Sequence, residues 1–283
     1  MKKLLSTAIF LVIGFATVAA YAQERKSILD DQPEVRRRVM FLPARFEVTP
    51  EIGMTYLQDF KHNLLVGLRA EYHIIEALSI GVFFDYAVYA WHTQLTNEIE
   101  STLPERLNPN TTVDPSPSKQ VMKSALDTLM FKAGAYLAYT PWFGKLSLFG
   151  KLFVKFDLHI LAGVGFAMFK EGHIDDAYRD PEGLGQGQLY IYYEDNYKNG
   201  GFKVGPLWGF GLRFWVLKYL ALAFTMRTLH IKRNSAGFDK TGDTRPGYDD
   251  VVVVSKKDES WEMLMSFTIG VSFFFPMNAP RSK

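Results

Sequence analysis

The sequence predicts an all-β fold: an eight-stranded antiparallel up-and-down transmembrane β-barrel with long extracellular loops. Three observations support this prediction. Apolar and polar residues alternate with a period of two in eight segments, each long enough to cross a bilayer at a tilt. The connections between these segments alternate between short and long, which is the asymmetry of outer-membrane barrels. The chain also carries an export signal but no second long apolar run, so strands would have to cross the membrane.

The first 22 residues have the parts of a secretory signal peptide. Lys2 and Lys3 precede an apolar run that ends at Val18, and the small residues Ala20 and Ala22 form the expected cleavage pattern. The apolar run is too short for a transmembrane helix, which needs about 20 residues. We therefore predict an exported protein that is cleaved after Ala22.

Three further regions follow the predicted cleavage site. Residues 23–44 hold two prolines and an arginine triplet without periodicity, and we predict a periplasmic leader there. Residues 45–276 form the predicted barrel, and residues 277–283 a C-terminal tail. The chain has no cysteine and a formal net charge of +2. It therefore offers no disulfide framework and no charge argument for binding nucleic acid.

A hairpin within residues 63–90 shows the alternation most clearly. Outside its predicted turn at residues 75–77, the even-numbered positions are apolar, whereas the odd-numbered ones include Arg69, Glu71 and Asp85. A period of two places these two sets on opposite faces of each strand. The hairpin is therefore predicted to turn one apolar face to lipid and one charged face to the barrel interior.

The same alternation marks the other six strands, one before the hairpin and five after it. These strands are predicted at residues 45–57, 129–139, 152–166, 202–216, 219–231 and 261–275. Further short turns are predicted at residues 141–145 and 217–218, a brief first outer loop at residues 58–62, and long outer loops at residues 91–127, 170–201 and 232–260.

Aromatic residues near the predicted strand ends suit two girdles at the membrane interfaces. They are Tyr56, Tyr89, Trp91, Tyr139, Trp142, Trp215, Tyr219 and Trp261. Within the long loops, residues 98–106 or 119–126 can form a short helix, and residues 251–254 can extend a strand. The loop acids and glycines match no calcium-loop or phosphate-loop spacing, so we predict no metal and no cofactor.

Short glycine-aromatic motifs recur in the second half of the chain. They are Tyr139-Thr-Pro-Trp-Phe-Gly-Lys145, Lys155-Phe-Asp157, Gly163-Val-Gly165, Gly209-Phe-Gly-Leu-Arg213-Phe and Phe267-Thr-Ile-Gly-Val-Ser-Phe-Phe-Phe-Pro276. These motifs resemble a family of small outer-membrane β-barrel-domain proteins of deltaproteobacterial type, over residues 46–276. The resemblance implies the barrel fold, and some relatives imply a link to cell-envelope or gliding-motility machinery. The last motif also resembles the C-terminal signal read by the barrel-assembly machinery.

The face opposite the apolar one carries charges of both signs. An eight-stranded barrel is just wide enough to be filled by its own side chains, and buried charges must be paired. We therefore predict a lumen charge network of ion pairs and hydrogen bonds rather than a wide pore. Its basic members are Arg45, Arg69, Lys132, Lys155, Lys203, Arg213 and Arg227, and its acidic members are Glu47, Glu51, Glu71, Asp85, Asp157 and Glu262.

The leading hypothesis is a non-enzymatic structural or interaction module of the outer membrane that acts through its outer loops. Its predicted surroundings are outer-membrane lipid and lipopolysaccharide, and its partner an unknown envelope or surface protein. The predicted contact residues are the loop aromatics Tyr190, Tyr192, Tyr193 and Tyr197. The competing interpretation of residues 189–193 is a strand that merely prolongs a hairpin above the membrane.

Three alternatives stay open at this point. A lipid-modifying or proteolytic enzyme would need a nucleophile beside a histidine at the rim, and the inward pair Asp157 and His159 has no obvious nucleophile. A narrow pore would use the lumen charges as an ion or proton path. A periplasmic lipocalin-like binder would reverse the barrel, so that Arg69, Glu71 and Asp85 would face water.

Overall fold

The computed structural model describes residues 42–103, 119, 122, 126–148, 152–170, 190–193, 200–245 and 248–277. The predicted signal peptide lies outside the described residues, as does the predicted leader up to residue 41. Of the predicted tail, only Met277 is described. Within the described residues, no helix is both long enough and apolar enough to span a bilayer.

Eight strands of the described chain close into an antiparallel barrel. In chain order the elements are β1 (Arg45–Tyr56), β2 (Lys61–His73), β3 (Leu78–His92), α1 (Gln94–Thr102), β4 (Thr128–Leu148), β5 (Leu152–Lys170), β6 (Tyr190–Tyr193), β7 (Gly201–Leu217), β8 (Leu220–Arg233), β9 (Thr244–Arg245), β10 (Tyr248–Val254) and β11 (Ser260–Phe275). Around the barrel the strands follow the order β1, β11, β8, β7, β5, β4, β3, β2, with β2 beside β1 again. This up-and-down order confirms the predicted fold class.

The two faces of the barrel differ as the alternation predicts. Apolar side chains in the middle of the strands point outward and are 42–59% exposed. They include Ile52, Val66, Leu68, Val82, Phe84, Leu137, Ile160, Val164, Phe210, Phe267 and Ile269. Arg69 and Asp85, in contrast, are inward and fully buried. Soluble proteins seldom expose so much contiguous apolar surface, whereas a lipid-facing barrel wall requires it.

The turn predicted at residues 141–145 is wrong, because strand pairing continues through it. β4 runs to Leu148, and its pairing with β5 extends from Trp142 opposite Leu158 to Leu148 opposite Leu152. A β-bulge between Tyr139 and Trp142 interrupts the register. A bulge is a position where a strand tolerates a proline, and Pro141 lies within this one. The β4–β5 turn therefore comes after Leu148.

Two more bulges change which side chains enter the barrel. The register of β4 shifts between Leu129 and Phe131, so Leu129 points inward with 4% exposure, whereas an unbroken alternation would place it on the outer face with Phe131. On β3, the residue opposite Leu64 is Tyr89, and the pairing shift beside it leaves Tyr89 exposed on the outside. An inserted residue reverses the face of everything beyond it, and the alternation of the sequence does not mark such an insertion.

The β7–β8 hairpin differs from its prediction at both ends. β7 continues to Leu217 and β8 begins at Leu220, so the turn lies one residue later than predicted. At the other end, β8 extends two residues beyond the predicted Ile231 and ends at Arg233. Trp215 is wrongly assigned to the interfacial girdle, because its ring lies inside the barrel and is only 6% exposed.

The first long loop begins with α1. Thr93 caps the helix, since its Oγ1 atom accepts from the Thr96 backbone N–H at 3.3 Å. Thr93 also donates from Oγ1 to the Asp59 carbonyl at 2.5 Å, which joins this loop to the β1–β2 loop. The helix starts earlier than the predicted 98–106. Most of the alternative helix, residues 119–126, lies outside the described residues.

Strands from the second and third long loops form a separate sheet, which we call the outer sheet (β6, β9 and β10). β6 pairs in parallel with β10, from Tyr190 opposite Val251 to Tyr193 opposite Val254. β9 pairs with the other edge of β10. Residues 190–193 therefore pair with a different loop instead of prolonging a barrel hairpin, and Tyr197 lies outside the described residues.

Candidate functional site

The β1–β2 pairing places two inward glutamates directly opposite each other. Glu47 on β1 pairs in register with Glu71 on β2. Like charges in directly opposite positions destabilise a sheet, and both side chains are buried. Cations inside the lumen must therefore neutralise them.

Two arginines supply that charge, and together with three acids they form what we call the inner lumen cluster (Glu47, Arg69, Glu71, Asp157 and Arg213). The Arg69 guanidinium pairs with Glu47 at 3.1 Å and with Glu71 at 3.5 Å. Arg213 pairs with Glu47, with Glu71 at 3.4 Å and, through Nε, with Asp157 at 2.8 Å. Each arginine thus bridges more than one acid, as its forked guanidinium allows.

Two buried aromatic side chains add hydrogen bonds to this cluster. The Tyr136 hydroxyl donates to Glu71 at 2.5 Å, and the Trp215 indole N–H donates to Asp157 at 2.6 Å. Buried tyrosine and tryptophan side chains usually find such polar partners. The inner lumen cluster is therefore a connected network of ionic and neutral contacts.

One subset of these residues also has the geometry of a metal site. Possible ligand atoms of Glu47, Glu71 and His73 lie within 4.8 Å of one another, and His73 Nε2 is 3.1 Å from Glu47. Both glutamates, however, are in ion pairs with Arg69 and Arg213. A divalent cation there would lie beside two guanidinium charges. These carboxylates therefore suit arginine better than a metal ion.

Further along the axis lies a second group, the middle lumen cluster (Glu51, Asp85, Lys132 and Arg227). Lys132 lies opposite Asp85 in the β3–β4 register and pairs with it at 3.1 Å. Arg227 pairs with Asp85 at 3.3 Å and with Glu51. Gly67 makes room for this arrangement, because a Cβ atom there would lie 2.0 Å from Asp85 Oδ1. All four charged side chains are at most 5% exposed.

Beyond these charges, toward the long loops, buried apolar side chains fill the barrel. We call them the apolar layer: Leu65, Leu129, Ala167, Phe169, Leu207, Leu229, Ile231 and Leu264. Each is at most 4% exposed. The alternation of the sequence predicts a charged inward face and gives no sign of this layer. Charged groups therefore fill the inner part of the lumen, and hydrocarbon fills its outer part.

A third polar group, the rim cluster (Gln58, Asp127, Arg233 and Glu262), covers the apolar layer at the outer end. Arg233 donates to Gln58 Oε1 at 2.8 Å and pairs with Asp127 at 3.1 Å and with Glu262 at 2.7 Å. The cluster borders a cavity of about 10 Å³, which is roughly the space that one water molecule needs. Four separate chain segments therefore meet at one guanidinium.

The carboxyl group of Asp127 in the rim cluster has a raised pKa. Burial raises the pKa of its carboxyl group to about 6, and the neighbouring Glu262 carboxylate also raises it, whereas Arg233 opposes both effects. The predicted network contains neither Asp127 nor Arg233. Arg233 continues the odd-numbered inward series of β8 two residues past Ile231, so extending that strand would have identified it.

The other predicted network residues lie apart from the inner and middle clusters. Arg45 donates to the backbone carbonyls of Lys218 at 3.1 Å and Pro276 at 3.0 Å, at the end of the barrel near the short turns. Lys203 pairs with Glu259 at 2.6 Å near the loops. Lys155 is half-buried on β5. The predicted network is therefore divided among several groups along the barrel.

A closed antiparallel barrel of eight strands, with an apolar outside and a lumen filled by charged and apolar side chains, defines the class of small outer-membrane β-barrel proteins. The short turns and both barrel termini mark the periplasmic end, and the long loops mark the outer end.

Comparison with solved structures finds small outer-membrane barrels. The chain is similar to the N-terminal β-barrel domain of Pseudomonas aeruginosa OprF, with 9% identity, 82% of this chain and 98% of that chain covered, and a TM-score of 0.39. It is similar to Pseudomonas aeruginosa OprG with 8% identity, 83% of this chain and 97% of that chain covered, and a TM-score of 0.39. It is also similar to Neisserial surface protein A with 10% identity, 82% of this chain and 96% of that chain covered, and a TM-score of 0.35. No family model and no curated protein matches the sequence. The assignment of class therefore rests on the strand pairing and the two faces of this barrel.

Proposed function

We propose that this protein is a non-catalytic structural or interaction module of the outer membrane that meets an envelope or surface protein through its outer loops. The observation that carries the proposal is the outer sheet. Two loops that leave the barrel at different strands pair through β6 and β10, over four residues in register. Pairing between separate loops restricts both of them and creates one surface at the outer end.

The filled lumen supports this proposal over a narrow pore. The inner and middle lumen clusters pair their charges with one another, and the apolar layer lies between them and the outer end. An ion crossing that layer would lose its hydration without a polar partner, which is costly. The orientation of Arg69, Glu71 and Asp85 toward the interior likewise opposes the lipocalin-like alternative.

Enzymatic function at the rim has little support in the described residues. Among them, no rim serine or threonine hydroxyl is hydrogen-bonded to a histidine. Ser235 donates to Glu262 at 2.9 Å, and Thr93 donates to the Asp59 carbonyl. His92 pairs with Glu100 at 3.4 Å, without a nucleophile in that contact. Nucleophilic catalysis needs a hydroxyl or thiol next to its base, so we favour a non-catalytic role.

The remaining parts of the proposal concern biogenesis and kinship. Cleavage after Ala22 would remove the signal peptide and leave the leader in the periplasm, joined to the barrel. The barrel-assembly machinery would recognise the C-terminal strand β11. The barrel wall would contact outer-membrane lipid and lipopolysaccharide. On the basis of the glycine-aromatic motifs, we also propose kinship with the deltaproteobacterial family and a link to cell-envelope machinery.

The test is a comparison of the wild-type chain with a variant that lacks residues 180–200, which removes β6. Barrel integrity is measured by heat-modifiable gel migration, and partner contact by cross-linking in intact envelopes and mass spectrometry of the captured proteins. We expect the variant to keep the folded-barrel band and to lose a cross-linked protein that the wild type captures. Capture of the same proteins by both chains would contradict a docking role for the outer sheet.

A further inference from the structure

Four side chains near the outer end of the barrel wall form what we call the Lys232 patch: Trp208, His230, Lys232 and Trp261. The β8 residues Ile231 and Arg233 point into the barrel, so the alternating His230 and Lys232 point outward. Trp261 lies directly opposite Lys232 in the β8–β11 register. Trp208 and Trp261 are 43% and 61% exposed. The patch is therefore part of the lipid-facing wall.

The Lys232 ammonium lies over the Trp261 ring, with Nζ 5.5 Å from the ring centroid. Such a cation–π contact orients an exposed lysine while leaving its charge available. No carboxylate of the described residues forms an ion pair with Lys232, whereas Lys203, Arg233 and Lys257 each have an acidic partner. Lys232 therefore lacks an acidic partner within the described chain.

His230 is oriented by a tryptophan as well. The Trp208 indole N–H donates to His230 Nε2 at 2.7 Å, and the two rings are stacked with centroids 6.3 Å apart. Indole nitrogen only donates, so His230 Nε2 must accept, and the ring proton is then on Nδ1. That nitrogen is a donor for an external oxygen atom. His230 and Lys232 are two positions apart on one face of β8, a spacing of roughly 6 to 7 Å.

The patch lies where the apolar wall meets the outer loops. Below it on β11, the outward residues Met263, Phe267 and Ile269 are apolar. Just past it, β8 ends at Arg233 in the rim cluster. Tryptophan residues at this level are typical of the headgroup region of a bilayer. Anionic lipid phosphates attract lysine side chains at the same depth.

We infer that the Lys232 patch binds the phosphate of a phosphorylated outer-leaflet lipid, of the lipid A type. Lys232 supplies the positive charge and His230 Nδ1 a hydrogen bond to the phosphate oxygens, while the apolar wall below accommodates an acyl chain. The wall position commits the site to a lipid rather than to free phosphate, because a soluble anion would gain nothing from the apolar surface. This inference rests on the lipid contact included in the proposed function, for which it names one site and its residues, and it is independent of the proposed role of the outer loops.

The test uses the folded full chain in neutral detergent micelles, with lipid A binding measured by native mass spectrometry. Lys232→Gln is compared with wild type and with Lys218→Gln, an exposed lysine in the turn at the opposite end. A lysine near a lipid phosphate contributes about 1 kcal/mol, so K232Q should weaken binding roughly fivefold. K218Q should leave binding unchanged. Trp208→Phe, which removes the donor to His230, should also weaken it.

Two further probes separate lipid from free phosphate. Dephosphorylated lipid A should bind wild type and K232Q equally, and inorganic phosphate in excess should leave lipid A bound. Equal lipid A binding by wild type and K232Q, with heat-modifiable migration showing both folded, would overturn the inference. Displacement of lipid A by inorganic phosphate would also overturn it, because the site would then be a simple anion site. Neither outcome affects partner capture by the outer loops, so this test is separate from that of the proposed function.

Discussion

Trp215 donates its indole N–H to Asp157 over 2.6 Å inside the barrel, at a position where the sequence favoured a ring at the membrane interface. Its ring also packs on Phe274, with centroids 4.3 Å apart. Trp215 therefore combines an apolar contact with a polar one at the periplasmic end of the lumen. Removing the polar contact alone should reveal what it contributes to stability.

Trp215→Phe keeps a ring against Phe274 but leaves Asp157 without its indole donor. We expect this change to lower the free energy of unfolding by about 1 to 3 kcal/mol, the typical cost of a buried acceptor that loses its partner. Urea unfolding in lipid vesicles, followed by heat-modifiable gel migration, measures the loss. The matched control is Trp142→Phe, on the exposed outer wall, where we expect a change within about 0.5 kcal/mol. Equal effects of the two substitutions would contradict the lumen assignment.

Arg213→Met tests the inner lumen cluster more severely. Arg213 is the common partner of Glu47, Glu71 and Asp157, so its loss leaves buried carboxylates with too few cations. Removing one partner of a buried ion pair costs about 3 to 5 kcal/mol, and we expect a loss of that size in the same unfolding assay. Lys145→Met, at an exposed position near the β4–β5 turn, is the control and should be mild. A loss below about 1 kcal/mol for Arg213→Met would mean that the network contributes little.

Alternation allowed the barrel to be predicted because lipid and lumen impose opposite polarity on every strand. The residues that escaped prediction are those where a local feature overrides that period. Bulges reverse the faces beside Leu129 and beyond Tyr139, and an extended end of β8 carries Arg233 into the rim cluster. A buried tryptophan such as Trp215 has the same residue type as an interfacial one, and only its partner distinguishes them. Pairing between β6 and β10 links loops far apart in the sequence, so local pattern contains no sign of it.

The cost of introducing a charged side chain should depend on whether the strand position faces lipid or the lumen. Val82→Arg on the lipid-facing wall, where the side chain is 54% exposed, should cost about 2 to 4 kcal/mol because the charge enters hydrocarbon. Val66→Arg should behave in the same way, whereas Val154→Arg, which lies beyond the last β5–β7 pair near the periplasmic turn, should cost less. Thr268→Ser, on the inward face, keeps the hydroxyl that donates to Glu51 at 3.0 Å and should be mild. Unfolding in vesicles ranks the variants, and equal tolerance on the two faces would contradict a membrane-spanning wall.

Asp127 predicts a pH dependence at the rim. Burial raises its pKa from an ordinary 3.8 to about 6, so the folded state holds this proton more tightly than the unfolded chain does. The stabilisation is then fully present below about pH 4 and is lost as the pH rises through about 6. Each pKa unit is worth about 1.4 kcal/mol, so the loss is about 3 kcal/mol.

Asp127→Asn provides the measurement of that dependence, because an amide cannot titrate. Unfolding free energies of wild type and the variant are compared between pH 4 and 7, where Glu262, Arg233 and Lys61 face the same group in both chains. We expect the wild type to lose stability relative to the variant as the pH rises. Parallel pH profiles for the two chains would show that Asp127 does not hold its proton in the folded barrel.

The last prediction concerns the outer sheet, whose central strand is β10. The Val253 backbone N–H donates to the Asp243 carbonyl at 3.0 Å, and Val253 lies opposite Tyr192 on the other edge. Val253→Pro removes that N–H and strains the strand, so it should open the sheet without disturbing the barrel. Limited trypsin digestion of the folded chain should then cut the third loop, which carries Lys240, Arg245 and Lys256, much faster than in wild type.

Val253→Ala keeps the N–H and should digest like wild type, with the same folded-barrel migration. Equal digestion of the proline and alanine variants would show that the hydrogen bond between Val253 and Asp243 does not protect the third loop, and loss of folded migration in the proline variant would mean that the barrel itself depends on the outer sheet.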